Sequence, residues 1–228
     1  MNLSLQTNNS QSLYPSPNLE FERALRRLEQ EVLRMGALVE KSFRLSHQAL
    51  FERDLQVLEE INSLDNKIDR YYRQIELKCA SLMTLQSPVA QDLRILSAFM
   101  QLVRDLERIG DYAEDLAEMA IKLLPYTPHD CMGEIEIMSR HAQAMLAVSL
   151  VALTDLDPNA GEHVKKLDDT VDEAYDNLYN TLASQKDIKG VVEPILVLGL
   201  VIRHIERMAD HATNIAQRVS YIVTGHRS

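Results

Sequence analysis

Apolar residues recur at steps of three and four along nearly the whole chain. Phe21, Leu25, Leu28, Val32, Met35, Val39 and Phe43 set the pattern, which is the spacing of one face of a helix. It predicts a first helix from Leu19 to about Phe51. Asp54 suits the N-cap of a second helix that carries Leu58, Ile61, Leu64, Ile68, Ile75 and Leu82. Ser87 and Pro88 supply a cap and a proline for the first helical position of a third. That helix runs through Ile95, Leu102, Leu106, Ile109, Ala113 and Leu116 to Leu123, and Pro125 and Pro128 stop it. A fourth helix starts near Asp130 and carries Ile135, Met138, Met145, Val148 and Ala152. After a turn at Asp157-Pro158, a fifth carries Val164, Leu167, Val171, Ala174, Leu178 and Leu182. Lys186 to Gly190 reads as a turn, and a sixth helix spans about Val191 to Thr224, with Pro194 tolerable near its start. Residues 1–18 are polar, rich in Asn, Gln and Ser, and close on Pro15 and Pro17, the composition of a flexible tail.

The second half of this pattern repeats the first. Arg104 to Glu118 (RDLERIGDYAEDLAE) aligns without a gap on Arg203 to Gln217 (RHIERMADHATNIAQ), with six of fifteen positions identical. Upstream, Leu64 to Asp69 (LDNKID) falls on Leu167 to Asp172 (LDDTVD), and Asp54 falls on Asp157. The connection between these two segments is four residues shorter in the second half. Apolar periodicity is common to unrelated helices; a shared E-R-x-x-D constellation in one phase points to internal duplication. The fold expected is all-α, with two tandem three-helix bundles over residues 19–124 and 128–224.

Composition narrows the function classes. There is no Trp, aromatic content is 5%, and only seven Gly and seven Pro occur in 228 residues, as in an all-helical protein. A net charge of −10 argues against a nucleic-acid interface or a broad basic membrane-binding face. The N-terminus has neither a basic nor an apolar signal region, and the longest apolar run, Ile195 to Ile202, is too short to span a bilayer. Cys79 and Cys131 stand in dissimilar contexts and read as two reduced thiols. A soluble cytoplasmic protein is expected. Long helix faces favour a homodimer, with Leu13, Phe51, Tyr71 and Tyr72 as candidate exposed contacts.

The candidate chemistry lies in the duplicated carboxylates. With Leu102 and Ala120 at the middle of the core stripe, Glu107, Asp111 and Asp115 fall at roughly 140°, 180° and 220° from it. Glu206, Asp210 and Asn214 repeat this on the sixth helix. Asp65 and Asp69 flank the stripe at roughly 100° and 140° from Leu64, as Asp168 and Asp172 do from Leu167. Each half therefore carries an acidic line on its outer face, from one D-x-x-x-D and one E-x-x-x-D. A solvated face is one reading. Like charges four apart repel on a helix, however, and the arrangement occurs twice. An all-oxygen donor set suits hard ions such as Mg²⁺, Mn²⁺, Ca²⁺ or Fe³⁺ at a shallow, solvent-facing site. Arg104, Arg108, Arg203 and Arg207 flank the acids as ion-pair partners, and an anion-binding role for them competes with those carboxylates.

Nothing catalytic accompanies this. No His has a Glu three residues before it, as a di-iron carboxylate oxidase requires. P-loop, dinucleotide and nucleophile-elbow motifs are absent from the sequence. His211 beside Asp210 reads as an accidental surface histidine, its repeat mate being Tyr112; His129-Asp130 reads as chance.

The double E-R-x-x-D motif, with Asp92-Leu93-Arg94 after Pro88, resembles the PhoU family of phosphate-transport accessory and regulatory proteins over about residues 19–224. In the second half Val191-Val192-Glu193 stands where that D-L-R would fall. The resemblance implies multinuclear metal clusters, of iron or of Mn, Mg or Zn, on the bundle surfaces. Carried over, one site is Asp65, Asp69, Glu107, Asp111 and Asp115; the other is Asp168, Asp172, Glu206, Asp210 and Asn214, weaker for the charge lost at Asn214. It implies a non-catalytic negative regulator of phosphate uptake and of the phosphate-starvation response. Its implied partners are the phosphate ABC transporter ATPase subunit (PstB) and the sensor histidine kinase (PhoR), with the membrane reached only through them. Alternatives are a carboxylate-metal enzyme such as a phosphohydrolase, a metal-free structural bundle, and an accessory to a low-affinity phosphate carrier.

Overall fold

In the computed structural model, residues 19–85, 88, 90–186 and 190–226 are described. Among them the chain forms six long helices and no strand: α1 (Leu19–His47), α2 (Leu58–Leu85), α3 (Ala90–Leu123), α4 (Met132–Asp155), α5 (Ala160–Ala183) and α6 (Glu193–Thr224). Each lies where the apolar spacing places it. α6 begins at Glu193 rather than Val191, with Pro194 in its first turn, where a missing N–H costs nothing. The polar tail, Leu13 and the Ser87 cap lie outside the described residues.

The duplication shows in the joints as well as the helices. α1 runs on as a π-type turn, Gln48–Glu52, and Arg53 ends it at φ 57°. α4 ends on Leu156 at φ 55°. These matching positions are the two non-glycine residues with left-handed backbone among the described residues. Such a conformation is costly outside Gly and Asn, but at each position it lets the backbone N–H close the helix end, Arg53 onto Gln48 O and Leu156 onto Ala152 O. In each, the aspartate that follows accepts an N–H two residues on: Asp54 from Gln56 and Asp157 from Asn159, both at 2.9 Å. Asp54 caps a short 3₁₀ turn, Leu55–Val57, that leads into α2. Asp54→Ala should cost about 1 kcal/mol, read as a lower urea midpoint with unchanged slope.

The two halves do not stand apart. α3 and α6 make the largest interhelix contact, α2 and α5 pack on their flanks, and α1 also touches α4. One continuous apolar cluster runs from Phe21 through Leu102 and Ile109 to Ile205 and Ile222. α3 is consequently buried on several sides, at Val103, Gly110 and Ala117 as well as along the Leu102–Leu106–Ile109 line. Gly110 serves a close approach: a Cβ there would sit 3.2 Å from Ile68 on α2.

Phe51, Tyr71 and Tyr72, expected to be exposed, pack partly buried against this core. Exposed apolar side chains occur elsewhere, among them Val148 and Val151 on α4 and Leu196 and Leu200 on α6. By length and composition α4 alone among the described helices could cross a membrane, longer than the apolar run anticipated. Its residues Ile135, Met138, Met145 and Leu146 are buried in the bundle, which gives that apolar character a partner.

Candidate functional site: two acidic seams

Asp65 and Asp69 on α2 face Glu107 and Asp111 on α3. The packing of Ile68 against Gly110 draws the two helices together at this level. Burial raises the pKa of Glu107; Asp111 raises it further, Arg108 opposes, and Asp69 and Asp65 add to it. Burial likewise raises Asp111, against Arg108 and with Asp65, Asp69 and Asp115. Asp65 is raised by burial and by Asp69. Glu114 belongs to the same group: burial raises it, and Asp65 is the first charge to add to that. Two basic side chains balance the seam, Arg73 on Asp69 and Arg108 at 3.1 Å from Asp111 and 3.6 Å from Glu107.

The second seam joins α5 to α6. Burial raises Glu206, with Asp210 adding, Arg203 and Arg207 opposing, and Asp172 adding from α5. Asp172 is raised by burial and then by Asp168, against Lys165. Three cations stand here. Lys165 lies 2.9 Å from Asp168, 3.4 Å from Asp169 and 3.9 Å from Asp172. Arg203 pairs with Glu206 at 2.7 Å and Arg207 with Asp210 at 3.1 Å. Lys165 replaces Asn62 of the first half, and Thr213 stands where Glu114 would be. The second seam is thus the less acidic, on grounds that lie outside the anticipated ligand set.

Several sequence expectations are corrected. The acids do not line an outer face. They are part-buried in the grooves where α2 meets α3 and α5 meets α6, because α3 and α6 are packed on several sides. On α5 the phase is shifted: Asp168 is 3% exposed while Leu167 is 41% exposed. Asp115 lies close enough to raise Asp111, but its carboxylate reaches His204 Nδ1 at 3.3 Å. Asn214 turns from α5 altogether and donates to Asp105 Oδ1 at 3.4 Å. Arg108, Arg203 and Arg207 pair with carboxylates of their own helices, three residues apart, and Arg203 also lies over the Tyr175 ring of α5.

His211 is not an accidental surface group. Its Nδ1 donates to Asp105 Oδ1 at 2.8 Å, with both side chains 12% exposed. Positions 105, 112 and 115 on α3 are the repeat mates of 204, 211 and 214 on α6. Asp105 therefore meets His211 and Asn214 as His204 meets Tyr112, edge-on at 5.0 Å between centroids, and Asp115. His204 lacks the alignment of a hydrogen bond to Asp115, and burial holds its pKa down against that carboxylate. This polar pairing along the α3–α6 contact is invisible in a helix-by-helix reading, because it joins residues about a hundred positions apart. His129 also has partners, its Nδ1 lying 2.9 Å from Cys131 Sγ. Both cysteines are free and buried, and burial pushes Cys79 up to about 12.

The donor set of the seams fits a hard cation. The oxygens are carboxylate, their charge is under-compensated, and Asp168 Oδ1 is buried without a hydrogen-bond partner. Among the described residues no three His, Cys, Asp or Glu side chains converge on one point that could hold an ion. The basic side chains hold several of the oxygens instead.

A family model described as the PhoU domain matches the chain twice, over residues 32–120 and 135–219. The protein of Synechocystis sp. named phosphate-specific transport system accessory protein PhoU homolog is 68% identical over 225 residues, 99% of this chain and 98% of that protein. The protein of the same name from Clostridium acetobutylicum is 34% identical over 207 residues, 90% of this chain and 94% of that one. Among solved structures, PhoU from Pseudomonas aeruginosa superposes with a TM-score of 0.83 at 30% identity, covering 90% of this chain and 100% of that one. The phosphate transport system regulatory protein PhoU from Streptococcus pneumoniae gives a TM-score of 0.83 at 28% identity over 91% and 99%.

Proposed function

The chain belongs to the PhoU family, and from that premise we propose that it is an accessory regulator of a phosphate transport system. In this reading it restrains phosphate uptake and the starvation response when phosphate is ample. It acts in the cytoplasm, by contact with the transporter's ATPase subunit and with a sensor histidine kinase. The observation that carries this is the near-complete match to the Synechocystis accessory protein, over 99% of the chain. Both acidic seams lie inside the matched PhoU domains.

The seams serve this role as ion sites. Asp65, Asp69, Glu107, Asp111 and Glu114 hold the first, and Asp168, Asp172, Glu206 and Asp210 the second. A bound hard cation supplies positive charge between carboxylates that otherwise repel one another. Arg73, Arg108, Lys165, Arg203 and Arg207 give up their carboxylates to it. α2 is thereby tied to α3, and α5 to α6, which stiffens the helix faces presented to partners. With Glu114 present and Lys165 absent, the first seam takes more positive charge than the second.

Deletion of the gene tests the regulatory role directly. The expected result is high expression of the phosphate transporter in phosphate-rich medium, reversed by re-expressing the chain. Transporter expression that stays low in the deletion strain would sink the reading.

A further inference from the structure

Four arginines gather in one cleft of about 430 Å³ across the α3–α6 contact: Arg104 and Arg108 from α3, Arg207 and Arg218 from α6. The chain as a whole carries a net charge of −10, and both flanking seams are acidic, so this concentration of cations runs against the background. One carboxylate, Asp105, shares the cleft, but it is already engaged by His211 at 2.8 Å and Asn214 at 3.4 Å. Arg108 and Arg207 are held at the cleft wall through Asp111 and Asp210, each at 3.1 Å. Arg104 and Arg218 make no ion pair with any carboxylate among the described residues. The Nε of Arg218 is moreover buried without a hydrogen-bond partner. A buried guanidinium donor left unpaired is unfavourable, and a ligand oxygen at that point removes the penalty.

The arrangement has length as well as charge. α3 and α6 run antiparallel here, Asp105 meeting His211 and Asn214 while Asp115 meets His204, so this register sets Arg218 nearer Gln101 and Arg207 nearer Arg108. Gln101 and Arg108 are about 10 Å apart along α3, more than one tetrahedral anion bridges. Guanidinium forks at successive positions match successive phosphoryl groups, each able to accept two parallel hydrogen bonds. We propose that this cleft binds a phosphate-chain polyanion, an inorganic oligophosphate or the triphosphate of a nucleotide, gripped by Arg104, Arg108, Arg207 and Arg218. The site does not depend on the regulatory reading, and its test uses no transporter.

Titration calorimetry on the chelator-treated full chain, with triphosphate, ATP, orthophosphate and sulfate as separate probes, decides it. Triphosphate should bind at least tenfold tighter than orthophosphate or sulfate, and its affinity should fall as salt rises. ATP equal to triphosphate assigns recognition to the phosphates alone; ATP tighter adds a nucleoside contact. The Arg104→Gln/Arg218→Gln variant leaves the arginines of the acidic seams in place, and Gln is about as good a helix former as Arg. It should lose at least tenfold in triphosphate affinity with unchanged helicity, and the corresponding double Lys variant should fall between. If the double variant fails to fold, exposed Arg104→Gln alone carries the comparison, with a smaller loss expected. No triphosphate binding at millimolar concentration, affinity indifferent to the arginine changes, or equal affinity for sulfate would overturn the proposal.

Discussion

Leu106→Ala lowers the unfolding midpoint of the entire chain, not of its first half alone. Leu106 is fully buried on α3, the helix that packs against α1, α2 and α6. Removing its branched end forfeits transfer energy and leaves a cavity that the surrounding helices only partly refill, about 2–5 kcal/mol in all. For a chain of this size a loss of about 3 kcal/mol moves the midpoint by roughly 6–12 °C. The repeat mate Ile205→Ala, equally buried on α6, should act in the same range. Both variants should melt in one transition, because the apolar cluster passes through the α3–α6 contact without a break. Far-ultraviolet circular dichroism during heating and urea titration reads this. Two separated transitions in Leu106→Ala would show that the halves hold their own cores.

The second large effect changes sign with the solution. In chelator, Glu107→Gln/Asp111→Asn should melt higher than the parent protein; with Mn²⁺ or iron added, it should melt lower. Burial and neighbouring acids raise the pKa of Asp65, Glu107, Asp111 and Glu114, so without an ion their charged forms oppose folding. Amides of the same shape remove that opposition. Losing the Arg108 pair offsets little of it, since half-exposed pairs contribute about 0–1 kcal/mol. The same shifts set a pH dependence. Their folded pKa values exceed the unfolded ones, so the metal-free protein is most relieved below the ordinary carboxylate range. It loses stability as pH rises through the raised values. An ion bound at a hundred times its dissociation constant adds about 2.7 kcal/mol to the parent protein, and the variant forfeits this. Elemental analysis should find fewer ions per chain in it. Asp168→Asn/Glu206→Gln should forfeit a smaller number, because Lys165, Arg203 and Arg207 already neutralise much of that seam. A parent protein whose melting ignores every added ion would leave the seams as acid–base pairings only.

Much of the architecture was legible before any coordinates. Helix spacing and capping are local, set by residues within one or two turns, so all six helices appear near their anticipated places. Asp54 caps as read, and Asp157 stands in the turn expected at Asp157-Pro158, accepting from Asn159. Pairing of Asp65 and Asp69 with Glu107 and Asp111 was also foreseeable from the repeated motifs. Glu114 could have been included: it stands seven residues after Glu107 and three after Asp111, on one helical face. The repeat does not mark it, because Thr213 stands at the matching position of the second half.

By itself, then, the sequence determined a duplicated all-helical chain, its six elements, and the repeated carboxylate motifs on the second and third and on the fifth and sixth helices. These depend on period, capping and repetition, which are properties of neighbours along the chain. Tertiary structure alone decided which way those groups look. A single apolar stripe cannot tell a helix packed on one side from one packed on three, so the acids of α3 appeared more open to solvent than they are. Only the meeting of α3 with α6, about a hundred residues apart in sequence, turns Asn214 to Asp105, buries His211, and brings four arginines to one cleft.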